Sequence, residues 1–171
     1  MAGSTDFSLI YNNFLHTVTD DMYISWSEGE TYEDLQGFLT SAIVNFRFPK
    51  KNLLDYDIEL GHFNIELSLE EIDILTTLMI IEWVKRQITT VRLTELQYTG
   101  SDAKVLNTKR QLDGLFDLKK EYQKDLEKKL LYYQNHTQSE DGDIIATDLK
   151  LSGKGSNNND LLRKIRRTRK I

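Results

Sequence analysis

The chain has no cysteine and only one proline, Pro49, among 171 residues. Without thiols, a disulfide framework and a cysteine-ligated metal site are both excluded. With one proline, long helices can run uninterrupted. Long apolar runs are also missing. The most apolar stretch, IDILTTLMIIEWV, is broken by Asp73 and Glu82 and is too short to span a bilayer, so no membrane partner is expected. The N-terminus, MAGSTDFSLI, lacks both a basic region and a long apolar core. It therefore does not read as a signal peptide, and synthesis in a cytoplasm is expected. Positive charge is scarce outside one place. Lys and Arg number 22 against 27 Asp and Glu, a net charge of −5. Six of the cations lie in the last twelve residues, DLLRKIRRTRKI. Without that segment 16 cations face 26 anions, a net of −10. The body repels polyanions at long range, while the tail attracts them.

A chain of this length commonly makes one domain that buries roughly 70% of its unfolded surface. The apolar residues of TDFSLIYNNFLHTV (Phe7, Ile10, Tyr11, Phe14, Leu15, Val18) fall on one helical face, with Thr5 or Asp6 as the cap. In SEGETYEDLQGFLTSAIVNF, Leu35, Phe38, Leu39, Ala42, Ile43 and Phe46 step by three and four. The carboxylates at its start suit a helix N-terminus. Pro49 ends that helix, and Phe48, preceding proline, is expected to be extended. Leu54, Tyr56, Ile58 and Leu60, then Phe63, Ile65 and Leu67, alternate at period two around Gly61-His62, which predicts a small β-hairpin. Such a hairpin is marginal alone and needs support from the helices or from a neighbouring subunit.

Ser68 and Glu71 form a capping box that opens a broad apolar stripe through Ile72, Leu75, Leu78, Met79, Trp83, Val84, Ile88 and Val91, widened by Ile74, Ile80 and Ile81. This helix is the expected centre of the core. Gly100 breaks it, and a second long helix runs from Ser101 or Asp102 to about Gln134. Its Leu112, Leu115, Phe116, Tyr122, Leu126, Leu130 and Tyr133 lie at helical spacing. Segments 68–98 and 102–134 make a long antiparallel helical hairpin. The predicted fold is mainly α, a helical bundle built on that hairpin, with a small β-hairpin and an extended C-terminal arm. Three regions follow: a helical body at 1–134, a polar linker and arm at 135–159, and a basic amphipathic anchor at 160–171. Within the arm, IIATDLKL reads as a strand or extended piece and SGKGSNNND as a flexible linker.

Little in the sequence carries chemistry. His16, His62 and His136 lie in three separate elements without metal-ligand spacing, so no metal is expected. SGKGS lacks the order of a phosphate-binding loop, and no cofactor is expected. SEDGDI, at 139–144, lacks the spread and the distal Glu of a calcium loop. Asn135-His136-Thr137 fits a glycosylation sequon that matters only in a secreted chain. Asp73 and Glu82 on the apolar helix are candidate buried acids, but each reads better at the stripe edge or paired with Lys85 or Arg86. No partner base or nucleophile accompanies them, and an enzyme is not expected.

The tail admits three readings. A purely solvated terminus does not need Leu161, Leu162, Ile165 and Ile171. A nucleic-acid clamp would use the six cations, but no aromatic for base stacking lies nearby. The favoured reading is docking on protein. Leu161, Leu162 and Ile165 lie along one side, surrounded by Arg163, Lys164, Arg166, Arg167, Arg169 and Lys170. The segment suits an acidic groove with apolar pockets.

The order of AIVNFRFPKKNLLDYD, LSLEEIDILTTLMIIEWVKRQI and YTGSDAKVLN, followed by a Lys/Glu-rich helix, resembles head–tail connector (adaptor, head-completion) proteins of tailed bacteriophages over roughly residues 20–134. The resemblance implies a structural virion protein of the neck, made in the host bacterial cytoplasm. It implies a ring, expected to be twelvefold, beneath the portal protein. It also implies contacts with other neck and tail proteins, and passage of double-stranded DNA through the ring without sequence-specific binding. On that pattern the arm at 160–171 grips the portal, capsid or another neck protein. The hairpin residues Tyr56, Ile58, Leu60, Phe63 and Ile65 are expected between subunits. The Lys/Glu face of 117–129 supplies further intersubunit pairs. The alternative is a small helical nucleic-acid-binding or regulatory protein acting through its tail.

Overall fold

A computed structural model describes residues 3–97, 102–138 and 144–146. The chain divides into two units, 1–134 and 135–171. The first is mainly helical. Strand β1 (Thr5–Asp6) leads directly into helix α1 (Phe7–Thr17), followed by α2 (Met22–Ser25) and α3 (Glu28–Asn45). Strands β2 (Tyr56–Asp57) and β3 (His62–Phe63) precede the two long helices, α4 (Leu69–Gln97) and α5 (Asp102–Asn135).

The helix starts follow from their caps. The Asp6 carboxylate accepts the Ser8 N–H at 2.7 Å and opens α1. Ser27 and Glu30 form a reciprocal capping box at the start of α3. Ser68 and Glu71 do the same for α4: the Ser68 N–H reaches the Glu71 carboxylate at 2.8 Å and the Glu71 N–H reaches the Ser68 hydroxyl at 3.2 Å.

Helix α4 lies at the centre. Helices α1 and α3 pack against it, and Ile74, Leu75, Leu78, Met79, Ile80, Ile81, Val84 and Ile88 are all buried. An ordinary surface helix buries one stripe. The extra isoleucines are needed because α5 covers a further side. There, Leu112, Leu115, Leu118, Tyr122, Leu126 and Leu130 are half-buried against the core. Side-chain pairs fix the antiparallel sense of α4 and α5. Tyr133 meets Glu71, Lys129 meets Asp73 and Thr77, and Arg92 lies over Phe116.

The β-hairpin differs from expectation in two respects. Its strands are two residues long, so Ile58 and Leu60 lie in the turn between them rather than on a strand face. Asp57 causes this: its Oδ1 accepts the N–H groups of Glu59 and Leu60 and curls the chain early. Gly61, at φ +70°, completes the reversal in a region that glycine adopts freely. The second difference is the source of support. β1 pairs with β3 to make a three-stranded antiparallel sheet of order β1-β3-β2, with Thr5 opposite Phe63 and Tyr56 opposite Phe63. The chain's own N-terminus thus shores up the hairpin.

Phe48 is a further correction. It is not extended but sits at φ +57°, in the left-handed region. The loop after α3 is fixed from both ends. The Lys50 N–H donates to the Tyr133 hydroxyl at 2.7 Å, and Lys51 Nζ donates to the Glu66 carbonyl at 2.6 Å. These anchors, with Phe46 buried against Tyr133, override the pre-proline preference.

In the second unit, β4 (His136–Gln138) pairs with β5 (Ile144–Ala146) in an antiparallel ladder. His136–Gln138, placed by the sequence in a polar linker, is therefore strand. Residues 139–143 and 147–171 lie outside the described residues, and with them the linker SGKGSNNND and the basic anchor.

Candidate interaction surfaces

Two polar networks tie the body together. At one end of α4, the Glu71 side chain is only 1% exposed. It accepts from the Tyr133 hydroxyl at 2.7 Å and lies 3.3 Å from Lys51 Nζ. Burial, reinforced by the hydrogen bond to Glu71, pushes the Tyr133 phenol well above its ordinary value. This junction fastens the end of α5 to the start of α4 and to the loop after α3. Farther along α4, Arg86 pairs with Asp34 and stacks on the Phe38 ring. Tyr23 donates to the same Asp34 at 2.9 Å. Asp20 accepts from Trp83 Nε1 at 2.9 Å and from Gln87 at 3.1 Å. Carboxylates from α3 and the α1–α2 loop thus meet polar groups of α4, and the network holds α2 and α3 in place.

The candidate acids on α4 are both paired. Glu82 binds Lys85 at 2.6 Å, and Asp73 binds Lys129 at 2.9 Å. For Lys129, burial disfavours the charge, but hydrogen bonds to Asp73 and Asp125 outweigh it and raise the ammonium above its ordinary value. Both pairs brace helices, as the stripe-edge reading of these residues expects. Among the described residues, no group of three or more His, Asp or Glu is placed to hold a metal ion. Nor is any described helix long and apolar enough to cross a membrane.

The five hairpin residues expected between subunits separate into two groups. Phe63 is fully buried, with its ring edge-on to Phe7 and Tyr56, so it is committed to its own core. Tyr56 and Ile65 are half-buried against the same core. Ile58 and Leu60, by contrast, are 49% and 70% exposed. They stand over a cleft of about 510 Å³ between α1, α3 and the hairpin turn, whose walls include Asp6, Tyr11, Tyr32 and Glu33. The Tyr11 phenol is pushed up by burial and by the neighbouring Tyr32 and Asp6.

The α1 and α3 side of this cleft was not picked out from the sequence. A signal for it existed: residues 1–46 contain seven carboxylates and no Lys or Arg. The anchor residues Leu161, Leu162, Arg163, Lys164, Ile165, Arg166, Arg167, Arg169 and Lys170 lie outside the described residues.

No protein-family model matches the chain, and no curated protein or solved structure is significantly similar to it.

Proposed function

We propose that this protein is a structural, ring-forming component of a tailed-phage neck, joining a portal to downstream neck and tail proteins around the DNA channel. The observation that carries the reading is a set of large apolar side chains held outward by braced backbone. The Ile58–Leu60 turn is tied by Asp57 and by the Phe7 N–H, which donates to the Gly61 carbonyl at 2.9 Å. Phe48 is 78% exposed at a strained backbone position. Exposed apolar groups on pre-set backbone are what protein–protein assembly uses. The sequence resemblance to connector proteins supplies the kind of assembly. A ring follows when one surface of a subunit meets a different surface of the next and the rotation closes.

In this reading the 160–171 segment is the anchor and needs both its charge and its aliphatics. The acidic body would flank the channel and repel passing DNA. The expected result is that Leu161→Asp with Ile165→Asp abolishes co-sedimentation with portal assemblies and leaves the far-UV circular dichroism of the body unchanged. Normal co-sedimentation of that folded variant would remove 160–171 from the role of anchor. The alternative nucleic-acid reading rests on the same six cations. It requires DNA affinity that falls steeply with salt and disappears when those cations are replaced by glutamine.

A further inference from the structure

The cleft beneath Ile58 and Leu60 has a chemistry that specifies its occupant. No Lys or Arg lines it. The shortage of cations extends well beyond its walls. Residues 1–46 and 52–84, which supply α1, α2, α3, the hairpin and the first half of α4, contain fifteen carboxylates and no Lys or Arg. Asp6 and Glu33 stand in the walls themselves. The Asp6 carboxyl is held below its ordinary value by hydrogen bonds from Ser8, so it stays charged at neutral pH. Ile58, Leu60 and Tyr32 add exposed apolar surface at the same place. The hydrogen bonds of Asp57 and Gly61 pre-set the turn, so an occupant would not have to order it.

An acidic cleft with an apolar lip calls for a segment that is basic and aliphatic together. The chain carries one. Residues 160–171 hold six cations and the aliphatics Leu161, Leu162, Ile165 and Ile171. Between strand β5 and this segment lie residues 147–159, a stretch of 13 residues that can span at most roughly 45 Å. That is enough to reach a neighbouring molecule.

We propose that the cleft formed by α1, α3 and the β2–β3 turn binds the 160–171 segment of a second copy of this chain. Each copy then offers one tail and one cleft. Tail-to-cleft contact joins unlike surfaces, the kind of contact that propagates around a ring. The inference rests on the ring reading and replaces the portal with a neighbouring subunit as the partner of 160–171, and its test needs no portal.

The test uses two full-length variants. Ile58→Lys with Leu60→Lys blocks the cleft and leaves the tail intact. Leu161→Asp with Ile165→Asp disables the tail and leaves the cleft intact. Because Ile58 and Leu60 are exposed, the first variant is expected to keep its circular dichroism spectrum, and that is the control. In sedimentation equilibrium the wild-type chain should self-associate, less so at high salt. Each variant alone should remain monomeric, and an equimolar mixture should form dimers, because one good tail meets one good cleft. A labelled synthetic peptide, DLLRKIRRTRKI, should bind the tail variant and lose at least about tenfold in affinity when the two cleft lysines are added.

A mixture that stays monomeric overturns the proposal. So does peptide binding that is indifferent to Ile58 and Leu60. Peptide binding with a wild-type chain that is monomeric at every concentration assigns the cleft to its own tail or to a foreign basic segment, and overturns the second-copy assignment. The ring reading is decided separately, by the composition of particles.

Discussion

Tyr133 shows how much can depend on one hydroxyl. It donates to buried Glu71 and accepts from the Lys50 N–H, so it joins the end of α5 to the first turn of α4 and to the loop after α3. Tyr133→Phe keeps the ring packing on Phe46 but takes the phenol donor away from one oxygen of the buried Glu71 carboxylate, whose other oxygen keeps Ser68 and Lys51. The expected cost is about 1–3 kcal/mol, seen as a lower urea midpoint with an unchanged slope. A second consequence concerns pH. Tyr11, Tyr23 and Tyr133 are all pushed above the ordinary phenol value of 10.0, chiefly by burial. In the unfolded chain these groups lose their protons near 10.0, while in the folded chain they keep them. Their contribution to stability is therefore complete below that pH and declines as pH rises through it. An absorbance titration of the native protein should show Tyr11, Tyr23 and Tyr133 ionising late, together with loss of helical circular dichroism. Ionisation of these three near 10 in a protein that remains folded would contradict this.

At the scale of elements, the long helices were the most legible part of the sequence. The Ser68–Glu71 box carries local chemistry strong enough to set the start of α4, and the two helices are described over 69–97 and 102–135. The hairpin was over-read. Leu54, Tyr56, Ile58 and Leu60 do alternate, but alternation cannot distinguish a strand from a turn when an aspartate side chain captures the next N–H groups. Strand β1 was missed because two residues carry no period. The short helix α2 was missed for the same reason, since four residues are too few to show one. Phe48 was misread because the pre-proline preference is local, whereas its φ is set by distant anchors on Lys50 and Lys51. That gives a prediction at this scale. Phe48 is mostly exposed, so Phe48→Gly loses little packing and relieves the left-handed strain. Stability should stay level or rise by up to about 1 kcal/mol, measured by thermal or urea unfolding. A loss larger than that would mean the ring packs on the body. If Phe48 serves assembly, the same variant weakens association while the fold is retained.

At the scale of the whole molecule, charge is the organising property. The first half of the body carries carboxylates almost without cations, α5 carries a mixture, and the last twelve residues carry six cations. Composition alone made the basic tail visible. It could not reveal that Asp6 at the end of β1, Glu33 of α3 and the aliphatics of the hairpin turn share one cleft, because that depends on how β1 folds back onto β3. The connector reading joins these features. In that proposal the acidic body would repel DNA, the exposed apolar turn would meet a partner, and the basic aliphatic segment would supply the link. The most direct test is quantitative mass spectrometry of purified particles from the native source, counting this protein against the portal protein. The account predicts a fixed one-to-one ratio. Absence from the particle would contradict it and direct attention to salt-dependent nucleic-acid binding through residues 160–171.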